Sequence, residues 1–247
     1  MANPIVNIVI ANYNYGKWIQ NAIRSALNQD YKNIIVTIID DNSTDDSVDK
    51  IEEILGCKFV DSSINTVVNG IPVIAFRLPE TTGPSNARNV AIHNTLNLCD
   101  IYAILDADDE MMSNKVSVCV QEMTQINLVG VVYADYIIED ISTGIKHIEY
   151  KEPFSRNRLM QECIVHSGSL ILKQALLDIV DEFGYYDINM RVCEDYLLWL
   201  KISKKYMILH VPEPLTLVRV HENNSTNSVK NEIWQKNWNY IRTRIQE

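Results

Sequence analysis

Three short runs constrain the fold more than any other feature of the chain: residues 5–11 (IVNIVIA), 33–40 (NIIVTIID) and 101–107 (IYAILDA). Each is apolar at nearly every position and rich in β-branched residues, without the polar alternation of a strand that faces water on one side. Strands of that kind need cover on both faces. Helical patterns supply it between them. Ile19, Ala22, Ile23, Ala26 and Leu27, with Trp18 ahead of them, recur at helical spacing. Residues 43–56 (STDDSVDKIEEILG) have a Ser/Thr/Asp start, acids in the first turn and Gly56 as a stop. Further helices are expected over 84–98 and 113–126, and a strand over 129–138. This alternation predicts an α/β chain with a mainly parallel sheet and helices on both faces.

The rest is less regular. Asn69-Gly70 marks a hairpin, and residues 142–144 mark a second. Two more helices, strand pieces near 207–211 and 214–221, and a last helix within 229–247 complete the expectation. The 247 residues are 47% hydrophobic and 22% charged, which suits one large domain with a sizeable core. A net charge of −10 argues against nucleic acid, whose phosphates recruit Lys and Arg. Five scattered cysteines without a C-x-x-C pair read as reduced thiols, mostly buried. The opening residues read as a first strand and not a signal peptide. No apolar stretch approaches the roughly 20 residues of a membrane helix. A soluble, cytoplasmic protein is expected.

Against this background the end of the third run is unusual. Asp106, Asp108, Asp109 and Glu110 follow directly on an apolar strand. Asx and Asp clusters also close the first two runs, at Asn12–Asn14 and at Asp40, Asp41 and Asn42. Open α/β sheets bind ligands beyond the carboxyl ends of their strands. Clustered carboxylates there suit a divalent cation such as Mg²⁺ or Mn²⁺, which takes oxygen ligands and substrate phosphates. An acidic loop ahead of the helix from Ser113 accounts for the same residues.

Residues 8–47 (IVIANYNYGKWIQNAIRSALNQDYKNIIVTIIDDNSTDDS) resemble the opening of the family 2 glycosyltransferases. In that family a first strand ends in T/S-Y-N and a second in D-D-x-S-x-D. The resemblance continues through Ala87-Arg88-Asn89, the LDADD at 105–109, the EDYLLW at 194–199 and the R-x-H segment at 219–221, and so covers residues 5 to about 228. It implies a GT-A fold, Rossmann-like, with a smaller mixed acceptor-side region. The implied division is 1–112 for the nucleotide-binding half, 113–228 for the acceptor-binding half and 229–247 for a C-terminal helix.

The resemblance also implies the chemistry: metal-dependent, inverting transfer of a sugar from a nucleoside-diphosphate donor, UDP- or dTDP-linked, to an acceptor hydroxyl, expected to be that of a glycan. Ala11 and Tyr13 would lie against the base, Asp41 would accept a hydrogen bond from it, and Arg88 would sit near the nucleotide. Asp106 and Asp108 would form the D-x-D. Asp108, Asp109 and His221 would hold Mn²⁺ or Mg²⁺. Asp195 would be the catalytic base, and His166 and Glu194 would line the acceptor side. Ala11-Asn12 replace the usual Pro-Thr, and Asn42 the usual Gly; both changes bear on nucleotide choice. The Q-x-x-R-W element of processive members is absent.

Plainer accounts exist for several of these residues. Glu194 and Asp195 also suit the first turn of a helix as dipole-complementing acids, and Arg88 suits a helix face as an ion-pair partner. Asp40 reads as structural. Trp234, Trp238, Ile241 and Ile245 form a stripe near Lys230, Lys236, Arg242 and Arg244; it suits peripheral membrane contact or packing on its own domain. A nucleotidyltransferase would need a Gly-rich basic loop after the first strand, and an NAD-binding protein a G-x-G-x-x-G; neither is present. A non-catalytic binding domain would be expected to lose Asp108 or Asp195, and both are retained.

Overall fold

The computed structural model describes residues 3–245, and of Ser225 and Thr226 the backbone alone. Expectations that reach residues 1–2 and 246–247 fall outside the described residues. The chain runs β1 (Val6–Asn12), α1 (Ile19–Leu27), β2 (Ile34–Asp40), α2 (Ser47–Leu55), β3 (Ser63–Val68), β4 (Ile71–Arg77), α3 (Pro84–Thr95) and β5 (Ile101–Asp106). It continues with β6 (Glu110–Met111), α4 (Lys115–Gln125), β7 (Val129–Asp140), β8 (Lys146–Glu149), α5 (Arg156–Leu159), β9 (Leu170–Leu172) and α6 (Lys173–Leu177). The last elements are α7 (Glu194–Ile202), β10 (Met207–Val220), α8 (Ser225–Ser228) and α9 (Asn231–Ile245). All the strands join one sheet in the order β3-β4-β2-β1-β5-β9-β7-β10-β6, with β8 paired to β7.

The continuous apolar runs are buried on both faces. Every residue of β2 is buried, and β1 and β5 each have one exception. Alternate residues feed two separate cores. Val6, Ile8 and Ile10 of β1, with Val36 and Ile38 of β2, pack against Ile19, Ile23 and Leu27 of α1 and Val116 and Val120 of α4. Val9, Ile39, Tyr102 and Ile104 face the other way, onto Ala87, Ala91 and Ile92 of α3 and the Leu197–Leu200 turn of α7. Asn7 is paired inside the core: its amide donates to Thr95 Oγ1 (2.8 Å), and its oxygen accepts from Thr37 Oγ1 (2.9 Å).

The sheet is mixed where the sequence suggested a mainly parallel one. The central β4-β2-β1-β5 block is parallel. Next to β5, the three-residue strand β9 runs antiparallel to both β5 and β7, and β7 and β10 are parallel to each other. The double reversal restores direction. Hence β1, β2, β5 and β10 all point their carboxyl ends to one edge, where the acidic clusters lie.

Several local expectations change in detail. The pieces near 207–211 and 214–221 are a single strand, β10, bent by register shifts at Val211/Pro214 and Pro214/Leu217, the irregularities that proline imposes on a ladder. Helix α2 starts at Ser47, and the Asp45 carboxylate accepts from Ser47 N (3.0 Å) and Gly16 N (2.8 Å); Gly56 ends the helix at φ 67° as expected. Trp18 precedes α1 and faces away from its packing stripe. The hairpin at Asn69-Gly70 forms, with φ of 52° and 82°, the left-handed pair of a type I′ turn. The stripe on α9 is its packing face: Ile241 is buried, the Trp238 ring lies 5.2 Å from Tyr196 of α7, and Asn237 donates to Val192 O (2.8 Å). Trp238, Ile241 and Ile245 of the stripe are thus engaged in packing on the domain.

A packing constraint at the start of β7 gives a test. A Cβ on Gly130 would lie 2.6 Å from Cβ of Tyr206, too near the backbone to swing aside, and 3.1 Å from Ile202. Gly130→Ala is expected to destabilise the fold by about 1–3 kcal/mol, read as a lower urea midpoint with an unchanged slope; an unchanged midpoint would refute the tight fit.

Candidate functional site

The shared strand edge gathers side chains from distant parts of the chain. At the end of β1, Asn12 donates to Asp40 Oδ1 (2.8 Å) and to Ser43 Oγ (3.1 Å), and Asp40 Oδ2 accepts from Ser43 N (3.0 Å). Asp40 is structural, as read. Asn14 and Asn42 take left-handed backbone conformations, at φ 58° and 61°, which asparagine tolerates. Asp41 turns inward: its carboxylate accepts from Thr82 N (2.9 Å), Thr82 Oγ1 (2.8 Å) and Gly83 N (2.7 Å) and so fixes the turn that begins α3. Ala11 is half-buried within β1, and Tyr13 is 43% exposed beyond its end.

The acidic segment after β5 is held from several sides. Asp108 Oδ2 lies 3.1 Å from His221 Nε2 and accepts from Asn224 Nδ2 (2.8 Å). Asp109 Oδ1 accepts from Arg219 N (3.0 Å), and the Arg219 guanidinium donates to Asp108 O (2.9 Å) and pairs with Glu110. Trp18 stacks on His221 with centroids 6.1 Å apart, Tyr15 meets the same ring edge-on at 5.8 Å, and Arg219 lies 4.8 Å over Trp18. Burial, followed by the charges of Asp108 and Asp106, raises the Asp109 carboxyl well above the usual carboxylate range. The segment therefore carries charge that the protein balances incompletely.

Asp106 belongs to a second cluster. Arg88, 6% exposed, reaches from α3 to Asp106 Oδ1 (2.8 Å) with one arm and to Glu194 Oε1 (2.5 Å) with the other. Burial pushes the Asp106 carboxyl up, but the charge and hydrogen bond of Arg88 outweigh it, and the group titrates below its ordinary range. Its neighbour in the first turn of α7 behaves in the opposite way. Asp195 Oδ1 accepts from Tyr196 N (2.7 Å). Burial and the adjacent Glu194 charge raise it to about 7 against the pull of Arg88. Two adjacent carboxylates thus have different fates: one is ion-paired, and the other is poised to take a proton near neutrality.

The loop between Cys163 and β9 closes the far side. Ser167 Oγ donates to Asp106 Oδ2 (3.1 Å), Gly168 N donates to His166 Nδ1 (3.1 Å), and Tyr136 lies 4.4 Å from the His166 ring. Burial and the charge of Lys115 lower His166 to about 3, so its imidazole is neutral. Lys115 is itself buried, donating to Gly168 O and Thr216 Oγ1, both at 2.6 Å; burial brings its ammonium down to about 8.

The structure thus brings Arg88, Asp106, Glu194 and Asp195 together, and Asp108 and Asp109 with the Arg219–His221 end of β10. It does not bring Asp41 or Tyr13 into contact with either group. Among the described residues, no three His, Cys, Asp or Glu side chains converge as a ready-made metal cage; Asp108 and His221 are the touching pair. Two surface cavities of about 340 and 240 Å³ contain none of the expected site residues, although the larger reaches Glu110. Lys115, Trp18 and Asn224 were missed as site residues. Their partners lie far away in sequence, and only the single basic residue after the acidic run hinted at Lys115.

The sequence model for Glycosyl transferase family 2 matches residues 7–178. The Escherichia coli UDP-Glc:alpha-D-GlcNAc-diphosphoundecaprenol beta-1,3-glucosyltransferase WfaP is 32% identical over 239 residues, spanning 94% of this chain and 84% of that enzyme. An uncharacterised glycosyltransferase of Rickettsia typhi is 25% identical over 239 residues, spanning 94% of this chain and 69% of that protein. S. aureus TarS 1-349 in complex with UDP-GlcNAc superposes at TM-score 0.70 and 17% identity, covering 91% of this chain and 61% of that one. The mannosyltransferase PcManGT from Pyrobaculum calidifontis, in complex with GDP-Man and Mn²⁺, superposes at TM-score 0.67 and 16% identity, with coverage of 91% and 59%. The chain spans less than two thirds of those solved chains, and the likeness is one of fold, the GT-A fold. With a family match over well more than half its length and a relative 32% identical across most of both chains, the chain belongs to glycosyltransferase family 2.

Proposed function

We propose that the chain transfers a glycosyl group, with inversion, from a UDP-sugar to an acceptor hydroxyl, with Asp195 as the base. One observation carries this reading: the carboxylate raised to about 7 lies one residue from an ion-paired one, on a helix joined through Arg88 to the acidic strand end. A base that titrates near the working pH combines basicity with availability. In the step itself, the acceptor oxygen bonds to the anomeric carbon and its proton passes to the Asp195 carboxylate. The bond from that carbon to the diphosphate oxygen breaks, and its electron pair leaves with the diphosphate. The WfaP likeness supports glucose as the sugar and a sugar diphosphate-lipid as the acceptor.

Asp108, Asp109 and His221 fit a divalent cation. Their donors are carboxylate oxygen and imidazole nitrogen, and the raised Asp109 carboxyl marks uncompensated negative charge. Bound there, Mn²⁺ or Mg²⁺ would supply charge stabilisation to the leaving diphosphate. Arg219, gripping the backbone of Asp108, holds that loop against β10.

Three outcomes are expected. Asp108→Ala should abolish transfer together with the Mn²⁺-dependent thermal stabilisation by UDP. Asp195→Asn should lower transfer by about 10²–10⁴-fold while that stabilisation persists; equal loss of UDP binding in both variants would sink the role division. Second, kcat/KM should fall as pH drops through about 7, because only the ionised base accepts a proton; a flat profile down to about pH 5 would contradict it. Third, folded Asp195 titrates near 7 and the ordinary value is 3.8. Between these values the folded state keeps a proton that the unfolded chain releases, so stability falls as pH rises through the window. Asp195→Asn should therefore raise Tm relative to wild type at about pH 8 and leave it nearly unchanged at about pH 4.

A further inference from the structure

We propose that Arg88 is a positioning residue that selects the base: its fork engages Glu194 on one side and Asp106 on the other, so that of two adjacent carboxylates on α7 only Asp195 is left to receive a proton. This rests on the reading of Asp195 as the base. The geometry is specific. Arg88 NH1 meets Glu194 at 2.5 Å and NH2 meets Asp106 at 2.8 Å, while Tyr186 covers the guanidinium from 5.3 Å. Both terminal nitrogens of the buried guanidinium are thereby directed at Glu194 and Asp106, while its Nε has no hydrogen-bond partner among the described residues. Arg88 also joins the carboxyl end of the central strand β5 to α7, and so fixes the distance from the acidic strand end to the base.

Every charge that faces Asp195 enters the balance. Glu194 from its own turn and Asp106 from β5 raise it, and Arg88 from α3 lowers it. Tyr186, Cys163 and Cys193 are neutral neighbours whose own ionisation the Asp195 charge disfavours. Without Arg88, Glu194 and Asp106 would both act on Asp195 unopposed. Asp195 would then stay protonated to higher pH, and the base would be lost at neutrality. A role confined to holding the fold would reduce activity without moving that titration.

The test is a carboxyl-carbon NMR titration with ¹³C-labelled aspartate, the Asp195 resonance being assigned by its absence in Asp195→Asn. It needs no substrate. In Arg88→Met the Asp195 midpoint should rise by about one pH unit or more, and in Arg88→Lys it should lie between Arg88→Met and wild type. In Glu194→Gln, which leaves Arg88 its Asp106 partner and carries the test even if Arg88→Met does not fold, the midpoint should drop. An unmoved midpoint in Glu194→Gln, or in a folded Arg88→Met, overturns the proposal. Transfer by Asp195→Asn, assayed with UDP-glucose and an N-acetylglucosaminyl diphosphate-lipid, separates the two ideas. Activity retained there overturns the base reading, whereas loss of activity with unmoved midpoints overturns only the role of Arg88.

Discussion

Negative charge at the end of a buried strand is the constraint around which the rest of the molecule is arranged. Strand β5 delivers Asp106, Asp108, Asp109 and Glu110 to an edge where water is already partly excluded. Carboxylates in such a place must be paired, protonated or neutralised by an ion. The first two solutions occur side by side. Arg88 pairs Asp106, Arg219 pairs Glu110, the Asp109 carboxyl is driven toward its neutral form, and Asp108 keeps one oxygen against an imidazole. Each cation comes from a different element. Neutralising the edge therefore requires α3, α4 and β10 to converge on it, and that convergence is the tertiary structure of the site.

The two arginines divide the edge into regions of different character. Arg88 takes Asp106 out of circulation and ties it to Glu194 of α7, whereas Asp109 is held by the backbone of Arg219 and Asp108 keeps a carboxylate oxygen toward His221 and Asn224. A D-x-D read as one motif thus has two separate jobs. Its first aspartate is a structural anchor between two regions of the chain, and its second faces His221 and Asn224. Lys115, buried behind the same loop with only neutral partners, adds positive potential without quenching a carboxylate directly.

How far the molecule was legible in its sequence follows from the range of the interactions. β1, β2 and β5 were readable because burial on both faces demands continuous apolar runs, and Gly56 and Asn69-Gly70 because local backbone conformation dictates residue type. Asp195 was readable as a helix-start acid within a recognisable segment. β9 was not: three residues show no period, and its antiparallel insertion depends on β5 and β7 lying on either side of it. The same holds for Lys115, whose partners are 53 and 101 residues away. Trp18 was misplaced because it shares the spacing of the α1 stripe while standing before the helix begins. The stripe on α9 was visible, but its partner, α7, was not.

The polar pair inside the core has a bearing on alignment. Apolar side chains in a sheet packed on both faces are interchangeable at every second position, so a strand displaced by two residues keeps all of them on their proper sides. Such a slip would move the end of β1 by about 6.6 Å relative to β2 and β5. Asn7 removes that degeneracy. It has one partner on β2 and another on α3, and in any other frame its amide would be stranded in hydrocarbon. An amide near the blind end of the strands acts as a key for the lock at their open end, holding Asn12, Asp40 and Asp106 level with one another although it touches none of them.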